Sequence, residues 1–316
     1  MAGAVQSTEL IEREAALAEL ERLLDGATRE GGRMGLVSGE AGIGKSALVR
    51  RFLALAAGEL PVLAGGCEAL FTPRALGPLY DIAWSREGAL APLLRRGAPR
   101  PELFAAALAE LRAPCVLVLE DVHWADEATL DFLKFLGRRI ERTRCLAIVT
   151  YRDDELGAAH PLRAVLGDLP RERVERIELA PLSREAVGAL ARAAQHAEGR
   201  LFEITGGNPF FVTEVLLGGE GSVPATVRDA VHARAARLGP SGRAALELAA
   251  LFPGGAERAR LRELSPDPAG IEECLASGLL VGEPRRLVFR HELARRAIED
   301  GLDPGRRAEL HARVLG

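Results

Sequence analysis

No eight residues narrow the fold of this chain more than Gly39, Glu40, Ala41, Gly42, Ile43, Gly44, Lys45 and Ser46. They match G-x-x-x-x-G-K-[ST] at every fixed position. The run follows a short apolar stretch, 34–38, and opens a helical pattern from Lys45 to about Ala57. A strand, a glycine-rich loop and a helix in that order build a cradle for phosphate. Glycine lets the backbone turn with its N–H groups facing inward. The first helical turn, with Ala47, adds partial positive charge. Lys45 is placed to reach β- and γ-phosphates, and Ser46 to ligate Mg2+. Lys45 and Lys134 are the only lysines among 41 lysines and arginines. That one of two falls here argues against an ordinary glycine-rich turn.

A phosphate loop needs an acidic partner on a second strand. The apolar run 116–119 ends in Glu120 and Asp121, so one acid can hold Mg2+ and the other can polarise an attacking water. The plain alternative is a pair of acids that merely ends a buried strand. Further apolar runs lie at 61–64, 145–150 and 174–179, most of them separated by enough chain for a crossover helix. This is the pattern of a parallel sheet with helices on its faces. The runs CVLVL (115–119) and CLAIVT (145–150) are apolar almost throughout, as strands covered on both faces must be. A complete strand run, 61–64, precedes the acid-bearing strand in sequence. This suits the connectivity in which another strand is inserted between the phosphate-loop and acid-bearing strands. CLAIVT would be the inserted strand, and its tip leads to Arg152 on the γ-phosphate side.

Residues 9–25 place Leu10, Ile11, Leu17, Leu20, Leu23 and Leu24 at helical spacing, which predicts an amphipathic helix ended by Gly26. After Leu179 the strand signals stop. Residues 182–217 read as two or three short helices broken at Gly206-Gly-Asn-Pro209, and Gly218–Ser222 reads as a boundary. Helices are predicted around 225–237, 241–251 and 269–277. A hairpin at 279–289 and a last helical stretch from 291 follow, the outline of a winged helix. The expected organisation is an N-terminal helix and lead-in (1–30), an α/β core with a five-stranded parallel sheet (31–180), a helical lid (181–222) and a winged-helix domain (223–316).

The formal net charge is −4 and the pI about 6.0. Such a balance argues against a nucleic-acid coat or a basic membrane-surface protein. No apolar run approaches the ~20 residues that span a bilayer. The N-terminal segment has no basic-then-apolar export pattern, so the expected setting is the cytoplasm. Cys67, Cys115, Cys145 and Cys274 have neither zinc nor redox-motif spacing and read as reduced, mostly buried packing residues.

The runs EDVHWAD (120–126), TYRDDEL (150–156), GGNPFF (206–211) and FRHEL (289–293) occur in that order. Together with the phosphate loop they resemble the STAND class of signal-transduction ATPases, related to AAA+ proteins. More narrowly, they resemble the ATP-binding region of large LuxR-family transcriptional regulators of bacteria. The resemblance runs from about Leu10 to His311. It implies a P-loop NTPase fold of the ASCE/AAA+ kind, ATP or ADP with Mg2+ as cofactors, and slow hydrolysis serving as a switch. It implies that Lys45, Glu120, Asp121 and Arg152 form the catalytic set, with Ser46, Glu120 and Asp121 on the metal. Arg152 matches the arginine that distinguishes triphosphate from diphosphate; a surface arginine after a strand is the alternative. Pro209 matches the proline that packs on adenine, although it also suits a helix start. His291 matches the histidine that reaches the β-phosphate of ADP, although it also suits packing of the last helix. Arg13 stands in a departure, Ile-Glu-Arg-Glu for Gly-Arg-Glu, as a candidate for the adenine side. His123 and Trp124 read as structural.

The acid pair also departs from the family, which places Asp first. Here Glu120 precedes Asp121, and a carboxylate displaced by one methylene slows a step that depends on positioning. Family members add a helical-repeat sensor and a C-terminal DNA-binding region beyond the segment seen here, and they self-associate in the ATP state. Residues 282–316 hold eight arginines against six acids, too small an excess to support direct nucleic-acid binding. A competing expectation is an AAA+-type DNA-associated motor or loader similar to origin-recognition proteins, with Arg171 or Arg173 as the arginine finger. A small-molecule kinase is a third, disfavoured because nothing beyond residue 180 resembles an acceptor-binding lid.

Overall fold

The computed structural model describes residues 10–55, 58, 60–70, 72–86, 88–196, 200–218, 223–265 and 267–315. The expected boundary at Gly218–Ser222 lies, apart from Gly218, outside these residues, as do residues 1–9. Two compact units divide the chain, Glu9–Ala180 and Pro181–Gly316.

The first unit opens with α1 (Glu14–Glu30), β1 (Arg33–Ser38), α2 (Lys45–Leu55) and β2 (Val62–Gly66). Three helices follow: α3 (Gly77–Ser85), α4 (Leu90–Arg95) and α5 (Arg100–Glu110). Then come β3 (Cys115–Glu120), α6 (Glu127–Gly137), β4 (Cys145–Tyr151), α7 (Pro161–Asp168) and β5 (Val174–Glu178). The five strands form one parallel sheet in the order β2-β3-β4-β1-β5. The expected insertion is therefore met: β4 lies between the phosphate-loop strand and the acid-bearing strand.

Alternation along the central strands explains why they are apolar throughout. Cys115, Leu117 and Leu119 of β3 and Cys145, Ala147 and Val149 of β4 enter one core with α3 to α7. Val116, Val118, Leu146 and Ile148 enter another with α1 and α2. All four cysteines are free and buried. The edge strand β2 is half exposed, and its Gly65 lies so close to α3 that a Cβ there would sit 2.3 Å from the Pro78 carbonyl.

The first helix differs from its prediction at both ends. It starts at Glu14, because the chain turns through Glu12 at φ 56 to carry Arg13 into the interior. It runs past Gly26 to Glu30, because Ala27 packs in the core beside Leu20, Leu23 and Leu24. Burial of a whole face outweighs the ~1 kcal/mol that one glycine costs a helix.

The second unit contains α8 (Arg184–Ala193), α9 (Leu201–Thr205), α10 (Pro209–Gly218), α11 (Ala225–Ala235) and α12 (Pro240–Ala250). It continues with β6 (Ala256–Glu257), α13 (Arg258–Leu264), α14 (Ala269–Ala276), β7 (Leu280–Gly282), β8 (Arg286–Phe289), α15 (Glu292–Asp300) and α16 (Pro304–Leu315). The expected hairpin is the antiparallel pair β7–β8, with Val281 opposite Val288. Strand β6, not anticipated, extends it to a three-stranded sheet in the order β6-β8-β7. Phe211 of α10 shares one core with Val227, Leu246, Ile271, Leu287 and Leu293. Among the described residues no helix is long and apolar enough to cross a membrane.

Candidate functional site

Parallel pairing brings the C-terminal ends of β1, β4 and β3 side by side, the edge at which open α/β sheets take ligands. Ser38 pairs with Tyr151, and Leu119 with Val149. The glycine loop, Arg152 and the acid pair consequently emerge from neighbouring strand ends.

Gly39, Gly42 and Gly44 all take positive φ, at 143°, 79° and 102°. A side chain would strain each of them. At Gly44 no heavy atom stands within 4 Å of where a Cβ would be, so the loop opens to space there. Lys45 begins α2 and is only 7% exposed. Its ammonium donates to the carbonyls of Gly39 (2.7 Å) and Glu40 (2.9 Å). Burial holds its pKa below the ordinary lysine value, and the nearby Arg152 lowers it further. Ser46 donates its hydroxyl hydrogen to Glu120 at 3.1 Å, across 74 residues of sequence.

Asp121 sits in the left-handed region at φ 53, a conformation that aspartate tolerates better than most residues. Its backbone N–H donates to Thr150 Oγ1 at 3.0 Å, which ties the acid to the tip of β4. Burial raises its carboxyl pKa, against the opposing pull of Arg152 and Lys45. Ser46 and Glu120 meet at hydrogen-bond distance, and their oxygens, like those of the Asp121 carboxylate, are hard donors of the chemical kind that suits Mg2+. Among the described residues no cluster of three or more His, Cys, Asp or Glu is set to hold a metal by itself.

Arg152 follows β4 and makes a 2.6 Å ion pair with Glu155. Its guanidinium also stacks over Trp124, 4.6 Å from the ring centroid. The Trp124 indole N–H donates to the other Glu155 oxygen at 3.3 Å. His123 is buried beside them. Its Nδ1 accepts the Arg152 backbone N–H at 3.4 Å, and its Nε2 lies 3.7 Å from Glu155. Burial pushes the imidazole pKa down to about 3, so it is neutral near pH 7. Sequence reasoning named Arg152 and missed Glu155, whose only sign is an acid three residues further on.

Arg13 is brought to the same loop, from behind it. Its guanidinium, 6% exposed, donates to the carbonyls of Ile43 (3.1 Å) and Ala180 (2.8 Å). It braces the backbone of the phosphate loop. Of the two arginines suggested as fingers, Arg173 donates to the carbonyls of Glu30 and Gly31, whereas Arg171 is exposed.

In the second unit Gly206 and Gly207 turn the chain at φ 60° and 75°, and Pro209 is the first residue of α10. His291 precedes α15 and meets the Phe211 ring edge-on, with centroids 4.8 Å apart. A Cβ on Gly206 would lie 3.0 Å from its Nδ1. The structure thus brings His291 to the turn that carries Pro209.

Residues 9–149 match the family model described as the AAA ATPase domain. An uncharacterized protein of Rhizobium meliloti is 26% identical over 256 residues, covering 65% of this chain and 24% of that protein. A tRNA dimethylallyltransferase of Ralstonia nicotianae is 31% identical over 186 residues, covering 52% of this chain and 55% of that enzyme. The chain therefore spans about a quarter and about half the length of these two relatives. Among solved structures, a Walker-type ATPase of Pyrococcus abyssi superposes with a TM-score of 0.61 at 16% identity, covering 92% of this chain and 96% of that one. At that identity the likeness is one of fold.

Proposed function

We propose that this chain is an ATP- and ADP-binding switch with slow Mg2+-dependent hydrolysis, the nucleotide-sensing part of a bacterial transcriptional regulator. The observation that carries the reading is the convergence of the glycine loop, the Ser46–Glu120 contact and Arg152 at one edge of the sheet. Residues Gly39 to Ala47 hold phosphates through inward backbone N–H groups and the start of α2. Lys45, now donating to carbonyls of its own loop, has partners that phosphate oxygens can replace. Ser46 and Glu120 hold Mg2+, which screens phosphate charge when bound. Asp121 orients water, and Arg152 answers to the γ-phosphate. The helices 181–222 act as a lid and residues 223–316 as a winged helix, with Pro209 against adenine and His291 toward the β-phosphate of ADP. Arg13 serves the site by holding Ile43 in place.

Slow turnover follows from the order of the acids. Glu120 already reaches Ser46, which leaves the shorter Asp121, held in a left-handed turn, to address water. The test is the nucleotide content of the purified protein, released by denaturation and identified by ion-exchange chromatography. Near one ADP per chain, surviving dialysis, is expected. An empty site that turns over added ATP rapidly would overturn the switch in favour of a motor.

A further inference from the structure

We infer that Glu155 is a positioning residue that competes with the γ-phosphate for Arg152, and so sets how strongly the site prefers triphosphate to diphosphate. The inference rests on the reading of Arg152 as the γ-phosphate-sensing arginine.

The geometry gives Glu155 this role from two sides. Its carboxylate is 13% exposed and engages Arg152 with one oxygen at 2.6 Å and the Trp124 indole with the other at 3.3 Å. Arg152, 21% exposed, is therefore held between an anion and an aromatic face. Yet Arg152 stays close enough to Lys45 and Asp121 to act on both electrostatically. A γ-phosphate beside Lys45 offers the same guanidinium a second anionic partner. Taking it means loosening a half-buried, charge-assisted pair, and this cost falls on the triphosphate alone.

Affinities for ADP and for adenylyl-imidodiphosphate, a triphosphate analogue that resists hydrolysis, are measured by calorimetry with Mg2+. Glu155→Gln is expected to raise the preference for the analogue over ADP about tenfold, the size of one lost charge-assisted contact. In an Arg152→Ala background the same change should leave that preference unaltered. An equal gain in both backgrounds would mean simple charge repulsion and overturn the inference, as would no gain with Arg152 present. If the wild-type chain binds neither nucleotide, the failure belongs to the proposed function instead.

A second readout needs no change at Glu155. Trp124 and the 74%-exposed Trp84 are the two tryptophans, so a Trp84→Phe chain reports on Trp124 alone. Its emission should shift with the triphosphate analogue and stay unchanged with ADP. Identical responses to the two nucleotides would overturn the inference even if Glu155→Gln fails to fold.

Discussion

Lys45 is buried, and the hydrogen bonds of its ammonium go to backbone carbonyls. An ammonium kept in that state costs desolvation that only an anionic ligand returns in full. Lys45→Ala should weaken ADP binding at least a hundredfold, in keeping with charge-assisted hydrogen bonds worth about 1.5–3 kcal/mol each. Calorimetry checks this, and wild-type affinity would remove Lys45 from the site. His123 gives a prediction in pH. Its folded pKa, about 3, lies below the 6.5 of the free side chain. Between these values the unfolded chain binds the extra proton, so stability is fully present above pH 6.5 and falls as the pH drops toward 3. The loss from this one group approaches about 1.4 kcal/mol per pH unit within that window. His123→Gln should therefore lose less stability than wild type between pH 6.5 and pH 4.5 in urea titrations. Parallel losses would show that the imidazole is not held neutral by burial. At this scale the phosphate loop was legible, because its chemistry lies in consecutive residues. The residue Arg13 was named, but its contacts behind the loop were not legible, and neither was Glu155. Arg13 reaches carbonyls 30 and 167 residues away, and Glu155 gains its meaning only when Trp124 and Arg152 fold onto it.

The loop after the acid pair is held by the cap of α6. Asp126 accepts from the N–H groups of Ala128 and Thr129 with one oxygen and from Leu76 N–H and the Thr129 hydroxyl with the other. One side chain thus starts a helix and fastens the segment leading into α3. Asp126→Ala should cost about 1–2 kcal/mol for the cap, and more for the stranded Leu76 donor. Urea denaturation would show it as a lower midpoint, whereas Asp126→Asn should recover much of the loss by keeping an acceptor. Unchanged stability would mean that the cap is replaceable. Elements were legible where one signal dominated. The runs CVLVL and CLAIVT became central strands because two helical layers demand apolar residues on both faces. The start of α1 and strand β6 were not legible. The first depends on burying Arg13, and the second is two residues long and exists through its pairing with Leu287 and Arg286.

At the scale of the whole molecule, each unit closes its own core and its own sheet. The phosphate loop, acid pair and Arg152 belong entirely to Glu9–Ala180, whereas Pro209 and His291 belong to Pro181–Gly316. That division makes the proposed contact of His291 with ADP separable by experiment. A ligand that binds only the folded state stabilises it by about 2.7 kcal/mol at a hundred times its Kd. If His291 adds a contact to the β-phosphate, ADP should raise the unfolding midpoint of the full chain more than that of a 9–180 fragment. His291→Ala should lower the full chain's gain toward the fragment's while leaving stability without ADP within about 1 kcal/mol of wild type, since His291 is half-buried rather than central to its core. Thermal unfolding across an ADP titration measures all three. Equal gains for fragment and full chain would assign His291 to packing against Phe211, and the nucleotide would then be held by the first unit alone.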